Sequence, residues 1–444
     1  MFRRLLLFFV VLPVVIINGA TETYIRFDLI RDQHSYASHP VQLARNDVIR
    51  QAVISRRLSR IRTPMNSSFD MLINSGAFSG TGQYFALVQV GTPARPFVLV
   101  IDTGSDLTWI KCKNTTSPET EPVGHRFDAR KSRTFRPITC SSPLCKMDLP
   151  FSLTECTEPT NPCLYDYVYA DGSKALGHFA TEGMTINLST GKRAKLRGIK
   201  IGCTSVSAGT AFAKADGVLG LGYSKTSFAA SATHLFGGKF SYCLVDHLSP
   251  RTETNYLVFG NRSSEDTTAL TYVDLSMEPP LAPFYSIQVQ GISVGEVLLD
   301  IKEKTWKPRS GGGVIVDSGT SLTVLTRYAY KAVTKAYDDV LVNVEKVEVE
   351  PFEFCYNWTT PPAVVIPPFS IHFAGVGGVG TVKFTPPEKS YIISVADGVK
   401  CLGFMETPWP ASSTIGNIMQ QNHLWEFDVA NRKLGFKPSP CSKK

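Results

Sequence analysis

The sequence predicts a mostly β protein built as two related lobes, and three observations carry that expectation. The chain has 444 residues, about twice what one hydrophobic core organises. Its apolar residues fall in short β-branched and aromatic runs, punctuated by 34 Gly and 28 Pro. An apolar strand running into Asp-(Thr/Ser)-Gly-(Ser/Thr) occurs twice, once in each half. With 43% hydrophobic and 19% charged residues, disorder is excluded for the bulk of the chain.

The first segment is a leader. Arg3 and Arg4 precede an unbroken apolar run from Leu5 to Ile17. That length suits the core of a signal peptide better than a membrane span, and Asn18-Gly19-Ala20 offers a small-residue cleavage region. Residues 1–20 are therefore expected to be a signal peptide. No second long apolar stretch follows and the tail is polar, so no membrane anchor is expected.

Residues 21–76 hold eight Arg against five acids and no Cys. Within them Val48, Ile49, Val53, Ile54, Leu58 and Ile61 recur at helical spacing, with Arg50, Arg56, Arg57 and Arg60 between. Placed between a leader and the Gly/Ser boundary at 75–80, this segment is expected to be a removable basic prosegment. Residues 1–76 carry +5 of the net charge of +8, since the rest of the chain carries 36 bases against 33 acids. A nucleic-acid partner is therefore not expected.

The body, 77–250 and 251–444, reads as strands. Tyr84 to Val90 ends at the turn Gly91-Thr92-Pro93, and Phe97 to Ile101 begins the next run. The best long helix is Arg327 to Val342. Gly375-Val376-Gly377-Gly378-Val379-Gly380 satisfies a dinucleotide-binding spacing. It leads into an extended run rather than a helix, so it is expected to be a hairpin turn.

Ten Cys, an even number, predict five disulfides in an oxidising compartment. Zinc is not expected at Cys140, Cys145, Cys156 and Cys163, whose spacing is loose and without a nearby His. Sequons begin at Asn66, Asn114, Asn187, Asn261 and Asn357, each a glycosylation candidate.

The repeat carries the chemistry. Phe97 to Ser105 contains Asp102-Thr103-Gly104-Ser105, and Gly313 to Thr320 contains Asp317-Ser318-Gly319-Thr320, an offset of 215 positions. Each is followed by an apolar-Gly element, Val218-Leu219-Gly220-Leu221-Gly222 and Thr414-Ile415-Gly416-Asn417-Ile418. A single Asp-Thr-Gly should arise by chance about 0.1 times in such a length, and would read as an Asp-initiated turn. Two copies in matched contexts read as a pair. The Gly lets the backbone double back, and the adjoining hydroxyls can orient the carboxylates. Two carboxyl groups in one site repel, so one keeps its proton while the other acts as a base. Together they can activate water against an amide carbonyl and protonate the leaving nitrogen, with no cofactor or metal.

At these residues the sequence resembles the pepsin-like aspartic proteases, nearest to the nepenthesin-type group of secreted plant enzymes. The resemblance covers essentially the whole chain, through Ile101 to Trp109, Tyr169-Ala170-Asp171-Gly172-Ser173, Asp216 to Gly222, Asp317 to Ser321 and Ile415 to Asn422. It implies a bilobal pepsin-like fold with the cleft between the lobes, an Asp102/Asp317 catalytic dyad, and polypeptide substrates. A monomeric, secreted enzyme made as a zymogen is expected, released to the apoplast or cell wall, with the vacuole as the other address.

By the same resemblance, Thr103 and Ser318 would bond across the loops, and Ser105 and Thr320 would brace the outer carboxylate oxygens. Gly104 and Gly319 would complete the loops. Tyr169 would be the tyrosine of a flap closing over bound peptide, with Trp109 packed near it. From the residues alone, Tyr165-x-Tyr167-x-Tyr169 reads as an alternating structural strand. The resemblance implies the pair Cys355–Cys401, and Cys203–Cys441 is expected to tie the first lobe to the chain end. The sequence departs from the group at Ala170, where Gly is usual. It departs again after Cys112, where Asn114-Thr115-Thr116 replaces further cysteines. The rival expectation is a catalytically silent binding protein on the same fold, an inhibitor of secreted glycosidases. Both Asp102 and Asp317 with their neighbours intact favour the enzyme.

Overall fold

A computed structural model describes residues 25–30, Ala44, Asp47, 84–113, 126–146, Cys156, 158–168, 174–187, 193–208, 215–246, 255–260 and 269–441. Strand Phe85–Val90 pairs antiparallel with Arg95–Asp102 across the turn at Gly91, whose φ of 93° suits a residue without Cβ. In the latter strand Phe97, Leu99, Val100 and Ile101 are all buried, as a strand covered on both faces requires. The long hairpin of Lys174–Asn187 with Arg193–Ala208 packs beside it, joined by Leu164–Val168. The expected helix forms at Arg327–Val340, and it buries Ala329, Tyr330, Val333 and Tyr337 on one face. The glycine run is a turn between Phe369–Ala374 and Thr381–Phe384, with positive φ at Gly377, Gly378 and Gly380.

Both halves contribute to one antiparallel sheet. Its order runs Phe85–Val90, Ile25–Ile30, Asn255–Phe259, Lys239–Cys243, His423–Asp428, Lys433–Pro438 and Thr271–Ser276. The segment ahead of the body thus supplies a strand to this shared sheet, at Ile25–Ile30. Phe240 and Phe427 stack on it with centroids 4.7 Å apart, and Tyr285 meets Phe427 edge-on.

A buried ionic cluster crosses the same sheet. Lys239 Nζ lies 3.4 Å from Glu426 and 3.2 Å from Asp428, and the Tyr272 hydroxyl donates to Glu426 at 2.8 Å. Burial pulls the Lys239 ammonium down, but Glu426 and Asp428 outweigh it and hold its pKa above the usual lysine value. The Glu426 side chain is only 2% exposed, so it cannot turn to water if its partner is removed.

All ten cysteines are paired: Cys112–Cys203, Cys140–Cys156, Cys145–Cys163, Cys243–Cys441 and Cys355–Cys401. Cys355 and Cys401 face each other in strand register, as the resemblance implied. The expected Cys203–Cys441 pair does not form. Strand Arg193–Ala208 runs parallel beside Trp109–Lys111 with Ile110 opposite Cys203, which brings Cys112 to a Cα distance of 5.4 Å. Cys441 follows the last strand of the shared sheet and meets Cys243 there, Cα to Cα 5.1 Å. The Sγ atoms of Cys140, Cys145 and Cys156 lie within 4.8 Å of one another, but they belong to two disulfides.

Among the sequons, Asn66, Asn114 and Asn261 lie outside the described residues, as does the side chain of Asn187. Asn357 is half-buried, and its Nδ2 donates to Glu345 at 2.8 Å.

Two outcomes follow. Lys239→Met should lower unfolding free energy by about 3 kcal/mol, the low end for a broken buried pair because Lys239 keeps some solvent contact; urea titration measures it. A peptide map of the unreduced protein should return Cys112–Cys203 and Cys243–Cys441 fragments, and none joining Cys203 to Cys441.

Candidate active site

Each Asp motif is built by the same local geometry. Strand Arg95–Asp102 runs parallel to Gly217–Gly220, with Asp102 opposite Gly220, and the chain returns as Trp109–Lys111 against Gly217 and Val218. In the second half Val314–Val316 runs parallel to Ser413–Ile415, and Thr323–Thr326 returns with Val324 opposite Thr414. The loop therefore passes directly over the neighbouring strand. A Cβ at Gly220 would sit 2.6 Å from the Leu107 carbonyl oxygen, and one at Gly416 would sit 2.2 Å from that of Leu322. Only glycine fits at these crossings, which explains the apolar-Gly element downstream of each motif.

Asp102 and Asp317 are fully buried at the ends of their strands. Oδ1 of Asp102 accepts from Gly104 N–H at 2.8 Å, and its Oδ2 accepts from the Ser105 hydroxyl at 2.7 Å. Asp317 repeats this with Gly319 N–H at 3.0 Å and the Thr320 hydroxyl at 2.6 Å. Each carboxyl group is thus oriented by one amide N–H and one hydroxyl.

The two loops grip one another. Thr103 N–H donates to Ser318 Oγ at 3.1 Å, and Ser318 N–H donates to Thr103 Oγ1 at 2.8 Å. The same hydroxyls donate onward at 3.4 Å, Thr103 to the Val316 carbonyl and Ser318 to that of Ile101. Four hydrogen bonds between buried groups set the second motif against the first.

Other supports carried no role in the sequence reading. Thr108 Oγ1 accepts from Gly220 N–H and Phe228 N–H, both at 3.0 Å, and Gly416 N–H donates to Thr323 Oγ1 at 3.4 Å. Asn417 Nδ2 donates to the Ser318 carbonyl at 3.0 Å, and Gln420 Nε2 donates to those of Ile415 at 2.8 Å and Asp317 at 3.3 Å. The Tyr242 hydroxyl donates to Gln420 Oε1. Burial, then the neighbouring Asp317, hold that phenol well above its usual pKa, so it stays a donor. Thr108 and Thr323 were within reach of sequence reasoning, because they keep the 215-position offset of the two Asp motifs. Gln420 lies in the marker stretch Ile415 to Asn422 but drew no role there, and for Tyr242 no sequence signal existed.

Trp109 is buried in a cluster with Phe85, Tyr165, Tyr167 and Phe179. The Tyr167 hydroxyl donates to Asp106, and that of Tyr165 pairs with Thr204 Oγ1 at 2.7 Å. Tyr169 lies outside the described residues. From the segment ahead of the body, Asp47 reaches the second loop and accepts from the N–H groups of Ser321, at 2.9 Å, and Leu322.

Comparison with known proteins places this geometry. The family model described as Xylanase inhibitor N-terminal matches residues 84–261, and Xylanase inhibitor C-terminal matches 284–438. Aspartyl protease family protein 2 of Arabidopsis thaliana is 35% identical, over 85% of this chain and 75% of its own length. Aspartic proteinase nepenthesin-2 of Nepenthes gracilis is 32% identical, over 90% of this chain and 87% of its own. Among solved structures, basic 7S globulin from soybean superposes with a TM-score of 0.66 at 18% identity, covering 94% of this chain and 96% of that one. Conglutin gamma from lupine seeds gives 0.64 at 17%, covering 94% and 95%. The globulins share the two-lobed fold, and the protease relatives share the sequence across most of its length. The chain belongs to the pepsin-like aspartic protease family, in its nepenthesin-type group.

Proposed function

We propose that the protein is an aspartic endopeptidase that hydrolyses internal peptide bonds at acid pH through Asp102 and Asp317. The observation that carries this reading is the matched bracing of two buried carboxylates, each by one amide and one hydroxyl, on loops joined by reciprocal hydrogen bonds. Two such groups sharing one proton supply a base and an acid together. The ionised carboxylate takes a proton from water as the water oxygen bonds to the carbonyl carbon, and the protonated one gives its proton to the carbonyl oxygen. Collapse of the tetrahedral intermediate returns that proton to a carboxylate, breaks the C–N bond, and passes the other proton to the leaving nitrogen. The dyad ends with one proton, as it began. Apolar strand ends around the dyad favour hydrophobic residues beside the scissile bond.

The cysteine pattern and the apolar leader support entry into the secretory pathway, and the basic segment at 21–76 supports synthesis as a zymogen. A second reading is a glycosidase inhibitor, which the description of the matching family models favours. The intact dyad favours the protease.

Asp102→Asn and Asp317→Asn should each lower kcat/KM on a quenched fluorescent peptide library at acid pH by about 10³-fold or more, with the unfolding midpoint retained. Wild-type rates in either variant overturn the dyad. Xylanase inhibition that survives Asp102→Asn, in a protein that cuts nothing at any pH, establishes the binding reading instead.

Thr103→Val removes the hydroxyl that Ser318 N–H donates to, and should lower kcat about tenfold or more with little change in KM, as misplaced reacting groups do. Thr103→Ser keeps the hydroxyl and should restore most of the rate. Equal losses in both variants would mean that the methyl, not the hydrogen bond, matters.

A further inference from the structure

The segment at 21–76 is rich in arginine, and its Arg50, Arg56, Arg57, Arg60 and Arg62 lie outside the described residues. The contact that is described uses an acid. Ala44 and Asp47 are helical, three positions apart and therefore on one face, and both are fully buried. Ala44 packs in an apolar cluster of the second half with Leu322, Val324, Met405 and Ile418. Asp47 Oδ1 accepts from Ser321 N–H at 2.9 Å, and its Oδ2 accepts from Leu322 N–H.

The position of those donors matters. Ser321 directly follows Thr320, whose hydroxyl holds Asp317. Two consecutive N–H groups aimed at one carboxylate form a small anion-binding concavity of backbone origin. A buried carboxylate needs such donors to offset its lost hydration, and buried N–H groups need an acceptor in turn. The site therefore demands an occupant with acceptor oxygens.

We propose that the N–H pair of Ser321 and Leu322 is a carboxylate-binding site beside Asp317, and that Asp47 fills it as a resident ligand, latching the leading segment onto the second catalytic loop. The regulatory meaning of the latch rests on the protease reading above: while Asp47 is seated, a peptide cannot use these donors, and the chain is held in its inactive form. The Ala44 contact seats the helix, and the carboxylate gives it register.

Hydrogen exchange by mass spectrometry on the full chain tests this without requiring activity. In Asp47→Ala, peptides covering residues 318–325 should exchange about tenfold faster or more than in wild type, as expected for amides that lose their acceptors. Peptides covering residues 99–106 should be unchanged. Asp47→Asn keeps one acceptor oxygen and should fall between. It serves as the deciding variant if Asp47→Ala loosens the whole second half. Unchanged exchange at 318–325 in both variants overturns the latch, whether or not the protein is a protease. A parallel assay of unprocessed protein on the fluorescent peptide should show Asp47→Ala cutting about tenfold faster or more than wild type, with the difference gone once the segment is removed. Faster exchange with no cutting in any form upholds the site and removes the protease reading. Faster exchange with equal cutting by both unprocessed proteins overturns the autoinhibitory role.

Discussion

The reciprocal hydrogen bonds between Thr103 and Ser318 are the constraint on which the site depends. Each hydroxyl satisfies the backbone N–H of the opposite loop and then donates to a carbonyl of the strand that carries the opposite aspartate. Neither loop can shift without leaving a buried amide of the other unsatisfied, which costs about 1–3 kcal/mol per group. The two halves are therefore not merely adjacent at the site. Each is the other's hydrogen-bonding partner, and the orientation of two carboxylates becomes a property of the pair.

The rest of the architecture delivers those two loops to one place. Parallel strand pairs carry each aspartate outward, and crossings that tolerate only glycine let each loop fold back over its neighbour. Beneath them, one antiparallel sheet takes strands from both halves, fixed by stacked aromatics and a half-buried lysine between two buried acids. Cross-half contacts link the levels: the Tyr285 hydroxyl donates to the carbonyl of Leu221, which follows Gly220, and the Tyr242 hydroxyl donates to Gln420. The likeness of the halves is not complete. Gln420 and Tyr242 support the Asp317 side, whereas Tyr167 and Asp106 are joined on the Asp102 side.

Most of the site was legible because the bracing of a buried carboxyl group and the close approach of backbones restrict residue choice. Asp, Gly and a hydroxyl at fixed spacing, repeated at one offset, leave few alternatives, and the strands beside them follow from apolar runs ending at turns. The long helix and the glycine hairpin were legible for the same local reason. What the sequence hid was long-range. Cys203 and Cys441 are each correctly a disulfide cysteine, but their partners depend on which strands lie side by side, and Cys112 and Cys243 became neighbours only through the register of the sheets. Gln420 meets Tyr242 across 178 positions, a contact with no local signature. The arginines of the leading segment drew attention by their number, whereas the side chain that meets the second loop is an acid, Asp47, one among several.

The bond between Cys243 and Cys441 has a consequence for survival among proteases. It closes the chain over 198 positions, so almost the entire second half is a covalent ring anchored on the shared sheet. A single cut anywhere inside that ring yields a nicked molecule with no free piece, and the 91-position closure between Cys112 and Cys203 protects much of the first half likewise. A nicked ring keeps its severed ends at high effective concentration, and noncovalent packing can hold them in register. A protein that shares its compartment with peptide-cutting enzymes can take such damage without coming apart.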